Sequence, residues 1–198
     1  MRAYYINLER RLDRRSNMIH QLENLGMEAV RINAVDGRTW DGKGYKAQGT
    51  MLEHRWRGSA GCYLSHRKAL LAAISCNVFP CVILEDDCVF KEAPVAEPGM
   101  VYLGGFESEK AGPRKPGGIY GFHAIMYNTK EDAEAFYSYL KTHRNTVDSV
   151  ANKYRKTNPD KVKKYSKGFI ATQIEDYSDI ECADVERTAG GMIVKMNY

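Results

Sequence analysis

Apolar and polar positions follow two rhythms along this chain. Ala3 to Leu8 (AYYINL) is an apolar run of strand length. From Leu12 the rhythm lengthens: Leu12, Arg15, Ile19, Leu22 and Leu25 recur every three to four residues, the period of a helix, until Gly26 supplies a stop. MEAVRINAV, from Met27, reads as a second strand ending at Asp36-Gly37, and Trp40 to Gly49 as a polar, glycine-rich loop. Gly58 to Cys76 predicts a long helix with Ser59 near its N-cap and Leu64, Ala69, Leu71, Ala72 and Ile74 on its apolar face. Cys81 to Leu84 is a short, continuously apolar strand. MVYLGG (Met100 to Gly105) and IYGFHAIMYN (from Ile119) are further strands, separated by the loop EKAGPRKPGG. Thr129 with Asp132 has the spacing of a capping box for a helix to Leu140. Asn145 to Lys156 reads as another helix and KGFIATQIE as a last extended segment.

Strands alternating with helices predict an α/β sandwich with a mostly parallel central sheet, in one domain spanning residues 1–198. Such sheets bind ligands beyond the carboxyl ends of their strands. No apolar run reaches the roughly 20 residues of a membrane span. The N-terminus lacks the apolar core of a secretory signal. The five cysteines form no paired C-x-x-C pattern. Four of them fall in segments that read as buried helix or strand, where Cys acts as a small hydrophobe, and together they suggest a reducing, cytoplasmic setting. A net charge of +4 favours an anionic partner mildly and falls short of requiring nucleic acid.

Chemistry concentrates in PCVILEDDCVF. An apolar strand runs into Glu85, Asp86 and Asp87, and adjacent carboxylates raise one another's pKa unless positive charge sits among them. A hard divalent cation, Mn²⁺ or Mg²⁺, meets that need, because such ions prefer carboxylate oxygens. Glu85 and Asp87, two residues apart, have the spacing to turn toward one ion. A solvated acidic turn is the competing reading.

YYINLERRLDRR, INAVDG, GSAGCYLSH, VILEDD and VYLGG occur in this order, and together they resemble glycosyltransferase family 25. This family comprises the lipooligosaccharide and lipopolysaccharide biosynthesis enzymes and the collagen galactosyltransferases. The resemblance covers Ala3 to Gly105 and continues more weakly through GFHAIMYN, VDSV and SDIE. Leu12 replaces the family's usual Pro, Ser59 its usual Glu, and the stretch between EDD and VYLGG is short. The resemblance implies a GT-A-type, Rossmann-like fold. It also implies metal-dependent transfer of a hexose, often galactose, from a nucleoside diphosphate sugar, commonly UDP-linked, to a hydroxyl with inversion.

Under that resemblance Asp87 is first choice for the metal, with Glu85 or Asp86 contacting metal, water or ribose. Asn7, Arg11, Arg14, Asp36, Ser65 and His66 are candidate nucleotide-sugar contacts. Each has a plainer alternative as turn, surface or packing residue, and His66 could instead hydrogen-bond the acidic motif. His123 has a status similar to that of His66. Asp148 is the candidate base that deprotonates the acceptor, with Asp176 and Asp179 as rivals; a helix-start acid is the plainer reading of Asp148. The basic run Lys153 to Lys167 interleaves Tyr154 and Tyr165 with seven Lys or Arg. It is either a solvated surface or a dock for an anionic acceptor, whether lipid-linked saccharide at a membrane surface or nucleic acid. A non-catalytic nucleic-acid-binding domain retaining the fold is the alternative to an enzyme.

Overall fold

The computed structural model describes residues 1–41, 56–107 and 117–174, together with the backbone alone of 53–55, 177–178, 183–188 and 191–195. The expected loop beyond Asp41, most of the 109–118 loop, Asp176 and Asp179 lie outside the described residues.

The chain opens β1 (Arg2–Asn7), α1 (Leu12–Asn24), β2 (Glu28–Asn33), α2 (Glu53–Cys76), β3 (Cys81–Glu85) and β4 (Cys88–Phe90). It continues β5 (Met100–Tyr102), β6 (Phe106–Glu107), β7 (Ile119–Tyr120), β8 (Ala124–Tyr127), α3 (Lys130–Thr142) and α4 (Val147–Thr157). The remaining elements are β9 (Val162–Lys164), β10 (Ala171–Gln173), β11 (Tyr177–Ser178), β12 (Ala183–Thr188) and β13 (Gly191–Lys195). The central sheet has six strands in the order β2-β1-β3-β8-β5-β9, and β8 alone runs against the rest. This is a Rossmann-like α/β fold. β4 pairs with β10 and β6 with β7 in two small antiparallel ribbons, and β11-β12-β13 form a third sheet.

The middle of the sheet is covered on both faces, so β3, β5 and β8 are almost wholly apolar and their side chains, like those of β1, divide between two cores, while the edge strands β2 and β9 carry Glu28, Arg31, Lys163 and Lys164. Tyr4, Ile6, Cys81, Ile83, Ile125 and Tyr127 face α2, α3 and α4; Ala3, Tyr5, Val82, Leu84, Ala124 and Met126 face α1. Thr129 and Asp132 form the capping box that starts α3.

The helices depart from the sequence reading in instructive ways. α1 buries Arg14, Met18 and Leu22, and Leu12 is exposed, so its stripe lies off the Leu12–Arg15 phase. An arginine takes a position that apolar periodicity assigns to the surface. α2 begins five residues before Gly58, so Ser59 is an interior residue and not an N-cap. Its buried face is Ala60, Tyr63, Ser65, His66, Ala69, Leu70 and Ala73, while Leu71 and Cys76 are exposed. The glycines that suggested a boundary are places of close approach. A Cβ on Gly61 would lie 2.6 Å from the Val35 carbonyl oxygen, and one on Gly37 2.2 Å from that of Arg57. The turn after β2 therefore lies directly on α2. Finally, the basic run is not continuous helix and loop: after α4 it supplies β9, the edge strand of the main sheet.

Candidate functional site

Strand register sets the site. Ile6 of β1 sits opposite Glu85 at the end of β3, so Asn7, one residue further, lies beside the turn formed by Asp86 and Asp87. Asn7 Nδ2 donates to Asp86 Oδ2 (2.7 Å) and to the Arg11 carbonyl (3.0 Å), and its Oδ1 accepts from Arg31 Nε (2.9 Å). β4 leaves the turn and pairs with β10, placing Gln173 opposite Cys88. The Ile174 N–H donates to the Asp87 carbonyl (2.9 Å), and the Glu85 N–H to that of His123 (2.9 Å). Backbone bonds from two other elements thus hold the acidic turn.

The carboxylates share a set of partners, and the charge of Arg14 acts on Asp87 as well as on Asp86. Arg14, buried on α1, donates to Asp86 Oδ1 at 3.1 Å. His66, 1% exposed, lies 3.0 Å through Nε2 from Glu85 Oε1, with the Cys62 thiol 3.4 Å from the same oxygen. Gln173 Nε2 spans the other two acids, 3.3 Å from Glu85 Oε2 and 3.0 Å and 3.1 Å from the Asp87 oxygens. Arg14 therefore supplies part of the positive charge the triplet requires, and His66 and Gln173 add hydrogen bonds.

Environment separates the neighbouring acids. Burial disfavours ionisation of Glu85, but the hydrogen bond and charge of His66, aided by the charge of His123, outweigh it and hold the carboxyl below its usual range. At Asp86 burial, reinforced by the charge of Asp87, outweighs Arg14 and Asn7 and pushes the carboxyl up to about 6. Burial, together with the charges of Glu85 and Asp148, raises the Cys62 thiol well above its ordinary value. Asp148, in the first turn of α4 behind the Thr146 cap, thus acts electrostatically on the same cluster, and after burial it also raises Tyr102.

The remaining sequence candidates divide. Arg11 pairs with Asp13 at 2.8 Å, and its backbone carbonyl accepts from Asn7. Asp36 pairs with Arg10 and with Arg38, and its carbonyl accepts from the Thr39 and Trp40 N–H groups. Ser65 Oγ accepts from the Val35 N–H (2.8 Å) and donates to the Gly61 carbonyl (2.6 Å), fastening the turn after β2 to α2. His123 packs so closely beneath the loop after β5 that a Cβ on Gly104 would lie 2.3 Å from its Nε2.

Sequence reasoning missed Gln173 and Cys62. Gln173 carries no local signal, since only the β4–β10 register brings it here. Cys62 does carry one: it precedes His66 by four residues on a helix, one turn away on the same face.

The donor chemistry fits a hard divalent cation. Glu85 Oε2 and the Asp87 carboxylate converge on one point, now taken by the Gln173 amide nitrogen, and half a rotation of that amide would present its carbonyl oxygen as a third hard ligand.

A Rossmann-like sheet with an acidic turn at the carboxyl end of its central strand, braced by a buried arginine and histidine, defines an α/β protein with its candidate site where such sheets bind ligands. The chain belongs to glycosyltransferase family 25: the model of that family, described as glycosyltransferase family 25 (LPS biosynthesis protein), matches residues 1–174. A glycosyltransferase 25 family member of Drosophila pseudoobscura pseudoobscura is 31% identical over 97 residues, 44% of this chain and 16% of the relative. Human procollagen galactosyltransferase 2 is 30% identical over 98 residues, 44% of this chain and 16% of the relative. Mouse inactive glycosyltransferase 25 family member 3 is 30% identical over 100 residues, 46% of this chain and 17% of the relative. The match therefore spans about one sixth of the length of each of these curated relatives.

Proposed function

We propose that this chain is a GT-A-type glycosyltransferase that moves a hexose from a nucleoside diphosphate sugar to an acceptor hydroxyl, with inversion. The carrying observation is the convergence of the Glu85 and Asp87 carboxylates at the carboxyl end of the central strand. Asp87 and Glu85 are the residues that hold Mn²⁺ or Mg²⁺, which, when bound, neutralises the diphosphate leaving group as a Lewis acid. Asp86, fixed by Asn7 and Arg14, holds the turn in the shape that presents its neighbours. Asn7, Arg11 and Asp36, at the carboxyl ends of β1 and β2, line the nucleotide side. Ser65 and His66 support that wall from α2. UDP-galactose is the donor to test first, because one relative is a galactosyltransferase by name.

Inversion requires the acceptor oxygen to approach the sugar from the face opposite the leaving phosphate. The base therefore belongs on a wall away from the diphosphate. Asp148, on α4, takes the acceptor proton there; Asp176 and Asp179 are its rivals. A saccharide hydroxyl is the acceptor this reading favours. Two lysines of the basic run are paired with carboxylates, Lys164 with Glu107 at 3.0 Å and Lys167 with Glu92 at 3.2 Å, which leaves less positive surface for a nucleic-acid backbone. Among the described residues no helix is long and apolar enough to cross a membrane. Lys153, Lys156 and Lys163 of the basic run are the groups this reading offers to a lipid-linked, anionic acceptor.

Calorimetry of UDP-galactose with and without Mn²⁺ tests the reading. Donor at a hundred times its Kd adds about 2.7 kcal/mol of stability. Asp87→Ala removes the Mn²⁺-dependent part of binding and abolishes transfer. Asp148→Asn lowers kcat by about 10² to 10⁴ while donor affinity and slow donor hydrolysis persist. Undiminished metal-dependent binding in Asp87→Ala overturns the metal assignment. Wild-type protein that binds donor yet never consumes it would be a binding module and not an enzyme.

A further inference from the structure

Glu85 presents its two oxygens to two different chemistries. Oε2 joins Asp87 and Gln173, where the protein ligands are oxygens. Oε1 faces the other way, toward a nitrogen and a sulfur: His66 Nε2 at 3.0 Å and Cys62 Sγ at 3.4 Å. Cys62 and His66 are one helical turn apart on α2, a spacing that sends both side chains to the same side. One ligating atom from each of the three residues lies within 4.8 Å of the others. The His66 ring is buried, and its Nδ1 has no hydrogen-bond partner among the described residues, so the ring is oriented by what Nε2 meets.

We propose that Cys62, His66 and Glu85 form a second cation site, selective for a borderline, thiophilic divalent ion of the Zn²⁺ class. Tetrahedral zinc with bonds of about 2.0–2.3 Å places its ligand atoms roughly 3.3–3.7 Å apart, close to the two separations from Glu85 Oε1, 3.0 Å and 3.4 Å, already present. The thiol gives up its proton to solvent as the ion enters, since the thiolate is the ligand. Three protein ligands leave a fourth position open. The hard ions suited to the Asp87 side have little use for a thiolate, so softness separates the two sites. They nevertheless share Glu85. Resting on the proposed function, the consequence is that Zn²⁺ inhibits a Mn²⁺-dependent reaction by drawing Glu85 toward α2.

Co²⁺, a spectroscopic stand-in for Zn²⁺, tests the site without donor or turnover. The protein used carries Cys76→Ser and Cys182→Ser, so that those two thiols do not report. The expected result is a saturable thiolate-to-cobalt charge-transfer band at one ion per chain, bleached by Zn²⁺ and untouched by Mg²⁺, and lost in Cys62→Ser. His66→Gln, which keeps the thiol, should weaken Co²⁺ at least about tenfold. Absence of the band, or its persistence in Cys62→Ser, overturns the proposal. Should Cys62→Ser not fold, undiminished Co²⁺ affinity in His66→Gln overturns it equally. Because the band requires neither sugar nor transfer, its failure leaves the glycosyltransferase reading intact, and an inactive protein can still show it.

Discussion

Two stretches of this chain concentrate charge, Glu85–Asp87 and Lys153–Lys167, and the fold treats them in opposite ways. The acids are drawn inward, and each meets a specific partner from a different element: His66 of α2, Arg14 of α1 and Gln173 of β10. The lysines stay outside. The Lys164–Glu107 pair has side chains 38% and 52% exposed, and the Lys167–Glu92 pair 58% and 47%. Exposed pairs of this kind contribute about 0–1 kcal/mol each. Charge density in a sequence is therefore a poor guide to function. What distinguishes the acidic turn is that burying it demands partners, and the fold supplies them.

The sharpest way to break this contrast is to remove one partner from each stretch. Arg14→Leu leaves Asp86 buried without its cation and should cost about 3–5 kcal/mol at neutral pH, whereas Lys164→Gln should cost no more than about 1 kcal/mol. Urea denaturation of both variants measures the difference, and equal costs would erase the distinction.

Titration offers a second test, because Asp86 and Glu85 pull in opposite directions. The Asp86 carboxyl rises from 3.8 to about 6 in the folded chain, so the native state holds that proton more tightly than the unfolded one. Its contribution to stability is full at low pH and is lost as pH rises through about 6. Glu85, held below its usual range, contributes stability that is lost as pH falls through that lowered value. Asp86→Asn should remove a fall of up to about 3 kcal/mol between roughly pH 4 and pH 7. A pH series of urea curves on wild type and variant should show this as a loss of slope.

A smaller effect is expected at Gln173. Replacing it with Leu removes the amide that gathers Glu85 and Asp87, and Mn²⁺ affinity should fall about 10- to 100-fold. A metal titration followed by donor binding would show it, and unchanged affinity would mean that the two acids hold their geometry unaided. Smallest of all is the basic run. Lys161, Lys163 and Lys164 changed together to Gln should raise the acceptor KM by only a few-fold and leave donor affinity unchanged, with the effect fading as salt screens the surface. Acceptor kinetics indifferent to both salt and substitution would leave the run as solvated surface alone.

Much of the middle of the sheet was legible because its inner strands are almost wholly apolar, as burial on both faces requires. Cys81 to Leu84 and Ala3 to Leu8 needed no other information. The helices were harder. Periodicity counts apolar residues, so it could not anticipate Arg14 on a buried face, where the compensation is Asp86, far away in sequence. Gly58 and Gly61 look like a helix boundary, yet Gly61 is tolerated inside α2 because the backbone at Val35 leaves no room for a Cβ. At the site, Glu85 and Asp87 stood out by local pattern, and His66 only through the family resemblance. Cys62 was hidden by its habit of acting as a hydrophobe. Gln173 was invisible, since nothing near it in the chain says that β10 will pair with β4.

That pairing has a consequence for how the molecule comes into being. The bonds between Gln173 and Asp87 join residues 86 positions apart, and among the described residues β4 has no other strand partner. The local β1-α1-β2 unit can form early from short-range contacts. The acidic turn acquires its last brace only after that long loop closes, at an entropic cost that grows with the logarithm of its length. Contacts so distant in sequence are the slow ones to form. The central sheet itself needs a closure of almost the same length, since Arg2 of β1 pairs with Cys81 of β3, so scaffold and site should form together and recovered donor binding should keep pace with refolding followed by fluorescence.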